Sequence, residues 1–172
     1  MKGAFYMSIH QTALPEEIRT YCPPLTRQPD FASFWQQVRN CVQHAALNSV
    51  ESVLPLPLTT ILAKQIQITA HDGTFITGWL SIPCGCNAPL PCIVRFHGFG
   101  GSKGHPTQFA AWNDLGFAVF SMDVRGQNGK TGDFAPYRTG SSMSPMCQGI
   151  LDPQEYYLYH LYLDCLLYTS PS

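Results

Sequence analysis

The sequence predicts an α/β fold on three observations. An apolar run, Cys92 to Phe96, reads as a buried strand. Pro106 is placed to open a helix that carries Phe109, Trp112 and Leu115 and stops at Gly116. Phe117 to Met122 is a second short apolar run. Strand, helix and strand in that order give a parallel pair by a right-handed crossover, and such a sheet is covered on both faces. In an open sheet of this kind a site lies in the loops at the carboxyl ends of the strands, where the glycine-bearing stretches 98–104 and 126–132 fall.

The remaining elements follow from local pattern. Phe31, Phe34, Trp35, Val38 and Val42 form a helical stripe, with Asp30 placed as its N-cap. This helix reads as a packing element without chemistry. Two prolines between Leu54 and Leu58 mark a linker. Ile66 and Ile68 then alternate with Gln65, Gln67 and Thr69 up to an Asp72, Gly73 turn, and Thr74 to Ile82 supplies the second strand of a hairpin. A polar connection, Pro83 to Pro91, leads into the Cys92 strand. Val124 to Gly149 is long and irregular, rich in Gly, Ser and Met. Asp152, Pro153 and Glu155 resemble a capping box that starts a helix at Pro153, bearing Tyr156, Tyr157, Tyr159, Tyr162 and several leucines, with the tyrosines mostly in the core.

Composition narrows the chemistry. With 172 residues, 45% of them hydrophobic and 12% charged, one globular domain with its own core is expected. The formal net charge is −1 and no basic stripe occurs, which argues against nucleic acid or an anionic membrane surface as partner. No signal-peptide core is seen in Met1 to His10 and no run is long enough to span a bilayer, so a cytoplasmic location is expected. The seven cysteines, at 22, 41, 84, 86, 92, 147 and 165, are irregularly spaced and read as reduced thiols. Cys84 and Cys86 are one residue too close for the usual zinc or redox pair, and no metal or cofactor is expected.

The chemistry-bearing stretch is Cys92 to Gln127. After Phe96 come His97, Gly98, Phe99, Gly100 and Gly101, and the next apolar strand ends in Asp123, Val124, Arg125, Gly126, Gln127. A glycine-rich loop leaves backbone N–H groups free to meet an oxygen on which negative charge develops, as acyl transfer requires.

Taken in order, "FASFW", "GWLSIP", "LPCIVRFHGFGGSKG", "WNDLGFAVFSMDVRGQ" and "GILDPQEYYLYHLYLD" resemble the N-terminal half of the acetyl xylan esterase and cephalosporin C deacetylase family. The likeness runs from about residue 14 to Asp164. It implies an α/β-hydrolase fold truncated before the nucleophile strand, with an N-terminal helical extension over 1–53 and a β-hairpin opening the core over 54–164. It also implies a metal-free serine esterase that deacetylates short acetylated xylo-oligosaccharides, cephalosporin C and similar small esters, in a parent that assembles as a hexamer. From Cys165 the sequence departs from the family pattern and reads like a translated transposase mosaic end. Residues 165–172 are therefore expected to be a non-native tail, and the parent gene to continue past Asp164.

In that family the nucleophile stands in a Gly-x-Ser-Gln-Gly elbow on the strand after the last helix, with the acid and histidine further on, so no catalytic triad is expected here. What the resemblance places on this chain is one oxyanion donor, the backbone N–H of Phe99, where the family commonly has tyrosine. Gly98, Gly100, Arg125, Gly126 and Gln127 are expected to support the site. Arg125 is read as a brace between loops, Asp123 as a loop anchor and His97 as a satisfied core histidine.

Gly100 to Gly104 formally matches Gly-x-Ser-x-Gly, with Ser102 as a decoy nucleophile. Against it, Ser102 follows His97 by five residues rather than closing the strand, His105 is too close to reach back, and His160 lies on the aromatic helix. Lys103 lacks the following Ser or Thr of a phosphate loop. Two alternatives stand beside the inactive half-esterase: a non-catalytic carbohydrate- or partner-binding α/β protein, and an esterase that uses Ser102. An isolated chain that stops before the nucleophile strand is expected to fold marginally, with one central strand left as an edge.

Overall fold

The computed structural model describes residues 15–43, 47–138, 140 and 142–169. The readings made on Met1 to His10 and on the last three residues of the tail lie outside them. Four helices, α1 (Glu16–Arg19), α2 (Phe31–Gln43), α3 (Ala110–Asp114) and α4 (Tyr157–Thr169), accompany five strands, β1 (Ser49–Leu54), β2 (Ile61–Thr69), β3 (Phe75–Pro83), β4 (Cys92–Phe96) and β5 (Ala118–Met122). The strands form one mixed sheet in the order β1-β2-β3-β5-β4, antiparallel except for the β4–β5 pair.

The hairpin forms where alternation and turn chemistry agree. Ile66 and Ile68 are buried, the Asp72 carboxylate accepts from Thr74 N at 3.0 Å, and Ala70 N closes the turn on Thr74 O at 2.9 Å. The crossover from β4 to β5 starts at Pro106 in a 3-10 turn, Pro106–Phe109, that runs into α3. His105 caps it: its Nδ1 accepts from Thr107 N, and its own N–H reaches Gln108 Oε1, both at 3.4 Å.

Both faces of the sheet are covered at its inner strands, β3 and β5. On one face Trp79, Ser121 and Arg95 lie in register and meet the α3 side, where Asn113 Nδ2 donates to Ser81 O at 3.1 Å and Arg95 stands over the Phe109 ring. On the other, Ile66, Ile68, Ile76 and Met122 pack against Leu167 and Tyr168 of α4. Helix α2 forms the outermost layer, with Val38 and Val42 closed against Leu163 of α4. Burying an aliphatic side chain of this size is worth about 1.5–3 kcal/mol, so the fold depends on α4 keeping both contacts.

Several expectations are corrected. Ser49–Leu54 is a strand paired with β2, so the segment 1–53 is not wholly helical. Its side chains are almost all exposed, and an edge strand without a buried face leaves little alternation to read. Strand β4 is not buried: it is the outer edge of the sheet, with Val94 and Phe96 39% and 49% exposed. Asp30 does stand at the N-cap of α2, its backbone carbonyl accepting from Phe34 N and Ser33 Oγ. The last helix begins at Tyr157, not Pro153, because residues 149–156 turn so that Gln154 N meets Asp152 Oδ1 at 2.8 Å. Cys165 to Thr169 lie within α4, which does not bear on the origin expected for the tail. Of the tyrosines, Tyr157 is fully buried while Tyr162 is 49% exposed. All seven cysteines are free, six of them exposed.

Candidate functional site

The carboxyl ends of β4 and β5 lie side by side because the two strands pair in parallel, Phe96 opposite Met122. The loops that leave them, Gly98 to Gly104 and Val124 to Gly132, are therefore neighbours, and side chains from each hold the other.

The first loop is held at Gly100. Its backbone has φ of 71°, a left-handed conformation that glycine adopts without steric cost. Its N–H donates to Gln127 Oε1 at 2.7 Å, and its carbonyl accepts from Asn128 Nδ2 at 2.6 Å. Gln127 Nε2 donates in turn to the Tyr157 hydroxyl at 2.9 Å, which donates to Arg125 O at 2.8 Å. Gly101 N closes a tight turn on Gly98 O at 3.0 Å. The Phe99 N–H, between these anchored points, has no acceptor among the described residues, and the residue is 66% exposed. Phe99, His97, Gln127, Phe96, Met146 and Tyr162 line one groove of about 390 Å³.

Gln127→Ala removes the clamp on Gly100 and is expected to cost about 1 kcal/mol of stability. Hydrogen exchange at the Gly100 amide should accelerate; unchanged protection would show that another group holds the loop.

Arg125 is 1% exposed and meets three carboxylates. Asp164 takes Nε and Nη2 in a fork at 2.6 and 2.7 Å, Asp72 takes Nη1 at 2.7 Å, and Asp133 also takes Nη1, at 3.1 Å. The guanidinium thus ties α4, the β2–β3 turn and the 126–138 loop to the end of β5. Burial works against its charge, but Asp164 and Asp72 outweigh that and raise its pKa further. Burial pushes the Asp164 carboxyl up to about 6 against the pull of Arg125. Gly126 N points back across the turn to Gly132 O at 3.2 Å.

A second buried pair fastens the far end of the first loop. Lys103 and Asp123 are 4% and 2% exposed and joined Nζ to Oδ2. Asp123 also accepts from Lys103 N at 2.6 Å, Lys130 N at 2.7 Å and Thr77 Oγ1 at 3.1 Å. The carboxylate thus holds both glycine loops at once.

His97 is half-buried rather than a core residue: Nε2 accepts from Val124 N at 2.9 Å, and Nδ1 donates to Gly98 O at 2.8 Å. Ser102 has no histidine hydrogen-bonded to it among the described residues; its Oγ accepts from Gly104 N at 3.4 Å. His105 bonds Thr107 at 2.9 Å, and His160 faces His71.

Sequence reading singled out Arg125 but not its partners, and weighed Lys103 only as a phosphate-loop residue. One signal was present. Asp164 is the only charged residue in the apolar run Leu161 to Leu167, and a lone carboxylate there must meet a buried donor to be tolerated.

Comparison with known proteins bears on family and fold. The model of the acetyl xylan esterase (AXE1) family matches residues 7–169. Among solved structures, acetyl xylan esterase from Paenibacillus sp. R4 is 36% identical with a TM-score of 0.82, covering 88% of this chain and 49% of that one. Acetyl xylan esterase 1 from Thermoanaerobacterium sp. JW/SL YS485 is 20% identical with a TM-score of 0.79, covering 88% and 48%, a likeness of fold alone. This chain spans about half the length of both. With a mixed sheet sandwiched between helices, adjoining glycine loops at its parallel pair, and a family match over nearly its whole length, the chain belongs to the acetyl xylan esterase family.

Proposed function

We propose that this chain supplies the oxyanion-binding half of a serine carboxylesterase that removes acetyl groups from short acetylated xylo-oligosaccharides, cephalosporin C and similar small esters. The observation that carries the reading is the Phe99 N–H, without an acceptor among the described residues, beside a groove and flanked by backbone that Gln127 clamps. Such a donor stabilises the tetrahedral oxyanion best when its position is set before the reaction begins. Gly98 and Gly100 shape the loop, and Arg125, Gly126 and Gln127 support it. Because the donor is backbone, phenylalanine at position 99 leaves it intact.

The nucleophilic serine, its histidine and the orienting acid belong to the half of the parent that follows α4. In the complete enzyme the serine attacks the acetyl carbonyl, and histidine carries its proton to the departing sugar hydroxyl. The chain alone should hydrolyse p-nitrophenyl acetate no faster than buffer. Joined to the C-terminal half of the Paenibacillus enzyme it should become active, and Phe99→Pro, which deletes the N–H, should lower kcat of that chimera by about 10²–10³. Hydrolysis by the chain alone, abolished in Ser102→Ala, would sink the proposal.

A further inference from the structure

The Arg125 network gathers more negative charge than its one guanidinium balances, since Asp72, Asp133 and Asp164 all face it. Beside Asp72 stands an imidazole pair. His71 Nε2 and His160 Nδ1 are 3.2 Å apart in rings tilted by only 7°, with centroids 5.3 Å apart. At that separation the facing nitrogens share one proton. The spacing is also close to the edge of a tetrahedral zinc site, where metal–nitrogen bonds of about 2.0–2.1 Å put two ligands about 3.3–3.4 Å apart. A carboxylate oxygen of Asp72 completes a set of three donor atoms within 4.8 Å of one another.

We propose that His71, His160 and Asp72 bind a divalent transition-metal cation of the zinc class between the two facing ring nitrogens, the proton those nitrogens share moving to the outer nitrogen of the ring that carried it, so that both rings stay neutral and each presents a lone pair. His71 is exposed, so an ion arrives from solvent and the ring is free to turn its Nε2 lone pair toward it. Asp72 Oδ2 keeps its 2.7 Å bond to Arg125, while Oδ1 accepts from Thr74 N at 3.0 Å and lies 3.5 Å from the guanidinium, so the second lone pair of Oδ1 is the one a cation would take. The charge of Arg125 opposes a second cation, and the surplus carboxylates Asp133 and Asp164 offset it. The site uses no residue of the oxyanion loop and stands independently of the esterase reading.

The test titrates zinc chloride into the full chain, its exposed thiols first alkylated, by calorimetry. One equivalent is expected to bind, and His71→Ala should weaken binding by about tenfold or more with an unchanged far-ultraviolet circular dichroism spectrum. Long-range proton–nitrogen spectra should show zinc moving the resonances of His71 Nε2 and His160 Nδ1, a readout that needs no variant. Equal affinity in His71→Ala, zinc shifts confined to other histidines, or no heat up to millimolar zinc would each overturn the proposal.

Discussion

Arg125→Met is expected to cost the fold about 3–5 kcal/mol, the range for removing one partner of a buried ion pair. The reason lies in what stays behind. Asp164, Asp72 and Asp133 have side chains that are 7%, 7% and 11% exposed, and each would lose the guanidinium that makes its charge tolerable. They would have to protonate, draw in water or pull apart, and any of these loosens α4 from the β2–β3 turn. With total stabilities of about 5–15 kcal/mol for ordinary domains, that loss is a large share of the margin. Arg125→Lys should recover little, because an ammonium presents no planar fork to the two Asp164 oxygens. Urea unfolding monitored by tryptophan fluorescence gives the measurement, and a midpoint unchanged in Arg125→Met would show that solvent reaches these carboxylates.

The second large effect is expected at Asp123. Asp123→Asn should cost about 3–5 kcal/mol, since it strands the buried Lys103 ammonium and sets an amide against donors that need an acceptor. Lys103→Met should cost less, because Asp123 keeps the bonds from Lys103 N, Lys130 N and Thr77 Oγ1. Acid sensitivity distinguishes the two. Burial works to raise the Asp123 pKa, but Lys103 and the backbone donors prevail and hold it below the ordinary 3.8. A carboxyl with a depressed folded-state pKa contributes stability that is fully present above the unfolded value and is lost as pH falls through the folded one. The wild-type chain should therefore lose this contribution only below about pH 4, whereas Asp123→Asn should lack that part of the acid slope. Unfolding free energies measured from pH 3 to 7 decide it: equal slopes in the two proteins would mean that Asp123 is not held as an ion.

Local chemistry made much of the fold legible. The Asp72–Gly73 turn, the alternation of Ile66 and Ile68, Pro106 at a helix start and the apolar run of β5 each encode their own conformation in a few adjacent residues. The errors occur where no neighbour in sequence carries the information. Strand β1 has no buried face to give it a period. The start of α4 was displaced because Asp152 uses its carboxylate in a turn rather than a helix cap. Strand β4 reads as buried from its composition, yet whether a strand is central depends on what pairs with it, which no run of five residues can express.

The sequence by itself determined the alternation of strand and helix, the two glycine loops, and the residue types that tie this chain to acetyl xylan esterases. Only the tertiary structure decided the partners: Gln127 on Gly100, Asp123 on Lys103, three carboxylates on Arg125, and His71 against His160. The physical reason is the range of the forces involved. Turns and caps form between residues a few positions apart, whereas the charges that hold this site, Asp133 at 8 residues from Arg125 excepted, lie 20 to 53 residues apart in the chain and as many as 89 separate the two histidines. They meet only after burial has brought the elements together, and burial is also what makes each of those pairings costly to break.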